Sequence, residues 1–380
     1  MAGMVSWEAL RELAGFRAEN GCAVSVYVGL DPSESPTPGA VETRVNSLLS
    51  VAERKLDERK GQLPRPQREA LKADIERITG WFDDGFDRDG VRGVGVFAAG
   101  LDNFWSTLSL SEPVRDAVKI GSELYLSPLA RLVGRSDGVL VAAVSRERAE
   151  VFRLGGGQLV EIADETEDVP GQHDQGGWSQ GRYERHIDEI VERHWRRVAD
   201  TLDTWLRRLP GAYAVLVGAE DMRSDFEEVL SSEAKSRLIG WTTAEAHAHA
   251  PQLLEAVQPI VDEWRAGKET LLLDRWREEA GKNGRAAAGW EETLEAASDG
   301  RVDLLLVQDG VDKPAYECPA CGRAQMTDGS CPLDGTTMES REGGLDLALH
   351  QTLRHGGSVH VIRDRHDLEP VGGVAALLRF

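Results

Sequence analysis

Long apolar runs are missing from this chain. No stretch approaches the roughly 20 residues needed to cross a bilayer, so no membrane partner is expected. The segment from Met1 to Phe16 carries Glu8 and Glu12 and has no basic region ahead of an apolar one, so a signal peptide is not expected and a cytoplasmic location is. Cysteine is scarce, four in 380 residues, and three of the four lie between 318 and 331. Such scarcity excludes a disulfide framework, and the clustering suits a metal site in a reducing compartment. Positive charge is short as well. Lys and Arg total 44 against 65 Asp and Glu, for a net charge of −21 and a pI near 4.9. A protein that coats nucleic acid indiscriminately is thereby excluded, DNA is not an expected partner, and any RNA contact must be local.

What is present is ordinary for a soluble globular protein: 41% hydrophobic and 29% charged residues. A chain of 380 residues exceeds what one core usually serves, so two or three domains are expected. Strand-like and helix-like stretches alternate, which predicts an α/β protein. Ala23 to Gly29 reads as a strand, followed by helices over about Val41 to Lys60 and Pro66 to Phe82 and strands at Gly93 to Ala99 and Phe104 to Leu110. Val139 to Val144, Ala149 to Leu154 and Gly157 to Ile162 read as a meander, and the unbroken apolar run from Tyr213 to Gly218 as a buried central strand. A helical region is predicted from Ala244 to Ala280, then a helix over Gly284 to Leu294 and a strand over Val302 to Val307. His247 and His249 alternate with alanines, but helical neighbours favour solvated or capping histidines over metal ligands.

Between the meander and the central strand lies Gln172-His173-Asp174-Gln175-Gly176-Gly177-Trp178-Ser179-Gln180-Gly181-Arg182-Tyr183. Gly176 and Gly177 suit an exposed tip, and Ser179 is a natural N-cap for the helix that follows. From Ile187 to Leu209 apolar residues recur every three or four positions, the spacing of one apolar stripe. Arg182, Arg185, Arg193, Arg196, Arg197, Arg207 and Arg208 share the stretch with six acids. Phosphate binding and a solvated, salt-bridged face therefore both remain open.

The clearest metal signal is Cys318-Pro319-Ala320-Cys321-Gly322, in which a tight turn aims two thiolates at one ion. Nine residues on, Cys331-Pro332-Leu333-Asp334-Gly335 repeats it with Asp334 in place of the second cysteine. Cys318, Cys321, Cys331 and Asp334 are thus the candidate ligands of a structural zinc ion, against the alternative of a ribbon that has lost its metal.

The double glycine with Ser179, Arg182 and Tyr183 resembles the middle-domain tip of the archaeal and eukaryotic class 1 peptide release factors, and the closing run from Gly372 to Phe380 is similar to the end of those factors and of Pelota. The eight lysines and arginine-rich, acidic composition are compatible with a bacterial member of that family. The resemblance implies three domains in release-factor order: an N-terminal α/β domain over 1–122, an RNase H-like middle domain over 123–280, and an L7Ae-like C-terminal domain over 281–380 with a zinc-ribbon-like insertion at about 314–340. Two departures matter. The codon-reading loop has no counterpart in Lys60 to Pro66, and Trp178 fills the place of the catalytic glutamine.

The resemblance then implies a ribosome-binding factor without stop-codon selection, one that occupies the A site of idle or stressed ribosomes as hibernation factors do. Gly176, Gly177, Trp178, Ser179, Gln180, Arg182, Tyr183 and Arg185 would face the rRNA of the peptidyl transferase centre, and no catalytic residue is assigned. A translational GTPase such as elongation factor Tu is the implied partner. One alternative is a rescue factor that hydrolyses peptidyl-tRNA through Gln175, Gln180 or the Trp178 amide. Another is an RNA endonuclease using acids such as Glu150, Glu161, Glu220 and Asp221.

Overall fold

The structure is a computed structural model that describes residues 7–31, 37–58, 63–84, 86, 91–110, 112–133, 138–155, 158–166, 180–209, 211–245, 248–282, 284–363 and 365–380. The chain divides into two compact units, one made of 1–135 with 271–380 and the other of 136–270.

The first unit opens with α1 (Trp7–Gly15), β1 (Ala23–Gly29), α2 (Pro38–Glu58), α3 (Arg65–Asp84), β2 (Gly93–Ala99), β3 (Phe104–Leu110), β4 (Ala117–Gly121) and α4 (Ser127–Val133). The sheet is antiparallel with order β3-β2-β1-β4. Every residue of β1 is buried because both faces of this central strand are covered. Val24, Val26 and Val28 point to α2 and α3, where Val45, Leu49, Leu71 and Ile75 meet them. Each such side chain contributes about 1.5–3 kcal/mol when removed from water. Ala23 and Tyr27 alternate to the other face and enter a second core.

In the second unit, β5 (Val139–Val144), β6 (Arg148–Gly155) and β7 (Gln158–Thr166) form the expected meander. Next come α5 (Gln180–Arg208), β8 (Tyr213–Val217), α6 (Arg223–Val229), α7 (Ser232–Ser236), β9 (Leu238–Thr242) and α8 (Ala250–Gly281). The sheet order is β7-β6-β5-β8-β9, with β8 parallel to both β5 and β9. One face packs on the apolar stripe of α5 through Val191, Trp195, Val198, Leu202 and Leu206. The opposite face packs on Leu253, Val257 and Val261 of α8. His249 is exposed just ahead of α8, and His247 lies outside the described residues.

The first unit resumes with β10 (Ala286–Ala288), α9 (Gly289–Ser298), β11 (Val302–Gln308), β12 (Ala315–Glu317), β13 (Ala324–Gln325), β14 (Glu339–Arg341), α10 (Gly344–Arg354), β15 (Ser358–Ile362) and β16 (Val374–Leu378). Ala286 to Ala288, expected as helix, instead form an edge strand of the sheet β10-β16-β11-β15. The helix starts only at Gly289, whose φ of +82° turns the chain in a way other residues resist. Pairing with β16 outweighs the helix preference of three alanines. One face of this sheet shares a core with β1, because Ala23, Tyr27, Trp290, Leu305 and Leu349 belong to one buried cluster. Leu124, Leu126 and Leu129 join the same cluster. Asp346 anchors them by accepting from the Leu126 N–H at 2.8 Å and from the Ser127 N–H and hydroxyl, both at 3.1 Å.

Candidate functional site

Two turns, projecting from the small sheet β13-β12-β14, carry the three clustered cysteines. In the first, the Cys318 carbonyl accepts from the Gly322 N–H at 2.8 Å, and the Cys318 N–H donates to the Arg323 carbonyl at 2.8 Å. The second repeats both bonds: the Cys331 carbonyl accepts from the Gly335 N–H at 2.9 Å, and the Cys331 N–H donates to the Thr336 carbonyl at 2.8 Å. Gly322 at φ +78° and Gly335 at φ +75° close the two turns in the left-handed region. Glycine is required there because a Cβ would strain the turn. The sequence repeat is therefore a repeat of backbone geometry.

This geometry brings Cys318, Cys321, Cys331 and Asp334 together, with one donor atom from each lying within 4.8 Å of all the others. Cys318 and Cys331 are buried and Cys321 is exposed. The Cys321 and Cys331 sulfurs are 3.5 Å apart, and the Cys318 sulfur lies 3.5 and 3.7 Å from the two Asp334 oxygens.

Four potential anions this close cannot all ionise without a cation. Loss of surrounding water, followed by the neighbouring thiols and carboxylate, pushes the Cys321 thiol up to about 12. Desolvation also opposes ionisation of Cys318, yet the Cys321 and Ala320 N–H groups, together with the neighbouring Cys321 and Cys331 thiols, outweigh it and hold that thiol below its ordinary value. The Thr336 N–H, donating at 2.8 Å, leads the contacts that bring the Asp334 carboxyl down to about 2. Three sulfurs and one carboxylate oxygen on paired turns fit a tetrahedral divalent ion such as zinc. No open, solvent-filled coordination position is needed for that role, so it would be structural.

The first turn is docked onto its surroundings by residues that sequence spacing does not reveal. Buried Gln351 of α10 donates to the Gly322 carbonyl at 2.6 Å. Glu317, 2% exposed, takes Arg17 at 3.2 Å and Arg341 at 2.8 Å. Arg17 also pairs with Glu123 at 3.2 Å, and Glu123 with Arg354 at 2.8 Å. A separation of 300 positions hides the contact between Arg17 and Glu317 from any local reading. The one available signal was an acid placed directly before Cys318.

Of the residues expected to face rRNA, Gly176, Gly177, Trp178 and Ser179 lie outside the described residues. Gln180 opens α5, and Arg182, Tyr183 and Arg185 fall in its first two turns. Further along, Arg193, Arg196, Arg197, Arg207 and Arg208 are exposed. Arg196 pairs with Glu192 at 2.5 Å, and the Arg208 guanidinium lies 5.2 Å from the centre of the Trp205 ring. Part of this face is thus internally neutralised.

Among the described residues, Glu150, Glu161, Glu220 and Asp221 belong to no close group of three or more metal-ligand side chains. Glu150 pairs with Arg148, while Glu220 and Asp221 stand in a short turn after β8. Among the described residues the three cysteines and Asp334 are the one group of metal-ligand type.

Comparison with known proteins adds relatives to this geometry. The chain is 25% identical over 289 residues to peptide chain release factor subunit 1 of Thermoplasma acidophilum, spanning 69% of this chain and 68% of that protein. It is 26% identical over 284 residues to the same factor of Archaeoglobus fulgidus, spanning 68% and 69%. Among solved structures it is similar to the archaeal translation termination factor aRF1, with 18% identity, 99% of each chain covered and a TM-score of 0.28. It is also similar to a model of ribosome-bound archaeal Pelota and ABCE1, with 17% identity, 76% and 77% covered and a TM-score of 0.42. Residues 125–261, from the end of the first unit's N-terminal part through most of the second unit, match the family described as bacterial archaeo-eukaryotic release factor family 10.

Proposed function

We propose that this protein is a cytoplasmic ribosome-associated translation factor that occupies the A site of idle or stressed ribosomes, a hibernation role, without stop-codon-dependent release. The observation that carries the reading is Trp178, standing after Gly176 and Gly177 where release factors carry their catalytic glutamine, within the stretch that matches the release-factor family. An indole has one N–H donor and no acceptor, so it cannot orient water as an amide does. It can stack on a base of the peptidyl transferase centre.

The reading divides the chain into three functional domains, 1–122, 123–280 and 281–380, and two features support it. A mixed sheet of three antiparallel and two parallel strands with a helix on each face agrees with an RNase H-like middle domain. The four-stranded sheet carrying α9 and α10, with the cysteine turns inserted after β11, agrees with an L7Ae-like domain bearing a zinc-ribbon-like insertion. Through the latter domain the protein engages a translational GTPase, for which elongation factor Tu is the candidate. The tip residues, with Gln180, Arg182, Tyr183 and Arg185, contact rRNA, and zinc is structural.

The test is sedimentation of the purified protein with ribosomes from growing and starved cells, together with release of labelled peptide from loaded ribosomes. Binding without release is expected. Robust release by the wild type would replace this reading with that of a peptidyl-tRNA-hydrolysing rescue factor.

A further inference from the structure

Among the described residues the outermost strands of the sheets are guarded, with one exception. An open strand edge offers N–H and C=O groups to any other strand, and proteins blunt it with short strands, charged side chains or bulges. Outer strands β9 and β15 have five residues each, β10 and β14 three, and β13 two. β7 is longer, but it carries Glu161, Asp164 and Glu165, and its pairing with β6 shifts register between Val151 and Phe152. On one side of the first sheet, β4 has five residues with Lys119 among them, and Lys55 of α2 donates to its Val118 carbonyl at 3.0 Å. The other side is β3, seven residues from Phe104 to Leu110 without a charge, a proline or a glycine. Among the described residues β2 is its only strand partner. Both faces of β3 are covered: Phe104 and Leu108 pack against one core and Trp105 against the other, with Phe16 stacked on Phe104 at 4.0 Å and the Arg77 guanidinium 4.2 Å from the Trp105 ring centre. β2 is nonetheless buried throughout, whereas six of the seven β3 residues keep some exposure, so that exposure belongs to the outer edge.

We propose that β3 is a docking edge for β3 of a second copy of this chain, the two strands pairing antiparallel about a two-fold axis at Thr107. A two-fold interface must complement itself, and β3 does. Pairing about Thr107 sets that residue opposite its own copy, Ser106 opposite Leu108, Trp105 opposite Ser109 and Phe104 opposite Leu110. Facing threonines are a favourable cross-strand pair, and nowhere are like charges opposed. On a chain of net charge −21, a long strand free of carboxylates is where two copies meet with least repulsion. A basic foreign segment, by contrast, finds no acid along β3 to pair with. One strand pair of this length makes a small interface, so the association is weak and follows concentration. The inference goes beyond the ribosome reading and does not rest on it.

Sedimentation velocity of the purified full-length chain over a wide concentration range reads the mass, and hydrogen exchange at low and high concentration locates the contact. The expected result is a species of twice the 41.6 kDa chain mass that grows with concentration, with slower exchange in β3 and unchanged exchange in β7. Thr107→Lys sets two ammonium groups face to face at the axis and should abolish the dimer, while Val160→Lys, at an exposed position of β7, should leave it intact. The exchange map of the wild type decides the matter even where a variant fails to fold. A chain that stays monomeric at every concentration overturns the proposal, and so does a dimer whose β3 exchanges as fast as the monomer's. Protection of β3 that appears only when ribosomes are added gives the edge to another partner and overturns it as well.

Discussion

The cysteine turns and helix α5 are built on opposite terms. In the turns every donor is completed by the protein's own chain: four ligand groups within 4.8 Å of one another, a shared backbone pattern, and Gln351 and Glu317 behind them. Along α5 one face is completed by the sheet through Val191, Trp195 and Val198, while the other presents exposed Arg193, Arg196 and Arg197. A site closed by its own contacts governs stability. An exposed surface, even where some of its groups pair with one another as Arg196 does with Glu192, can change binding with little effect on the fold.

Changes in the two regions should therefore separate cleanly, and the largest effect is expected in the turns. We expect one zinc per chain after purification without chelator, and its loss in Cys318→Ser, because two thiolates and a carboxylate no longer enclose the ion. Elemental analysis reads the metal. Hydrogen exchange over β12 to β14 should rise, while the sheet of the second unit stays protected. Equal loosening of both units would erase the contrast.

Next in size, Arg182→Glu with Arg185→Glu should weaken cosedimentation with ribosomes and leave the thermal midpoint within a few degrees. Losing two phosphate contacts lowers the log–log salt slope by about 1.4–1.8. Two Arg-to-Glu changes among 265–280, in α8, should matter less. Equal loss from both pairs would remove α5 as the RNA-facing element.

Trp178→Ala should cost about 1–3 kcal/mol of ribosome affinity, roughly 5- to 150-fold, if the indole stacks on a base. Unchanged binding would mean that Trp178 meets no RNA. Trp178→Gln should lose the same contact, and any peptide release it gains would be read against the silent wild type.

The smallest effect is expected at Asp334. Its alanine variant should retain zinc with reduced affinity, since a water can take a fourth position that three cysteines leave open. Affinity equal to the wild type in a competition titration would assign the fourth position to water or another group.

Much of this contrast was legible in the chain before folding. The Cys-x-x-Cys-Gly and Cys-x-x-Asp-Gly repeat announces its own geometry because ligand, spacer and glycine are adjacent and the turn is local. The α5 stripe is equally open to reading, since a period of 3.6 needs no partner to be visible. Ala286 to Ala288 misled because alanine favours helix until a strand such as β16 offers pairing. Short elements such as α6, α7 and β9 carry too few residues to show a period.

By itself, then, the sequence determined the α/β class, the repeated cysteine turns and the stripe of the long helix, all of them consequences of neighbours along the chain. Tertiary structure alone decided that 1–135 and 271–380 share one unit. It also decided that Arg17 reaches Glu317 beside the first cysteine, and that Cys321 lies against Cys331 with its own face in solvent. The reason is physical: burial and charge pairing join whatever surfaces folding brings together, and distance along the chain places little limit on them.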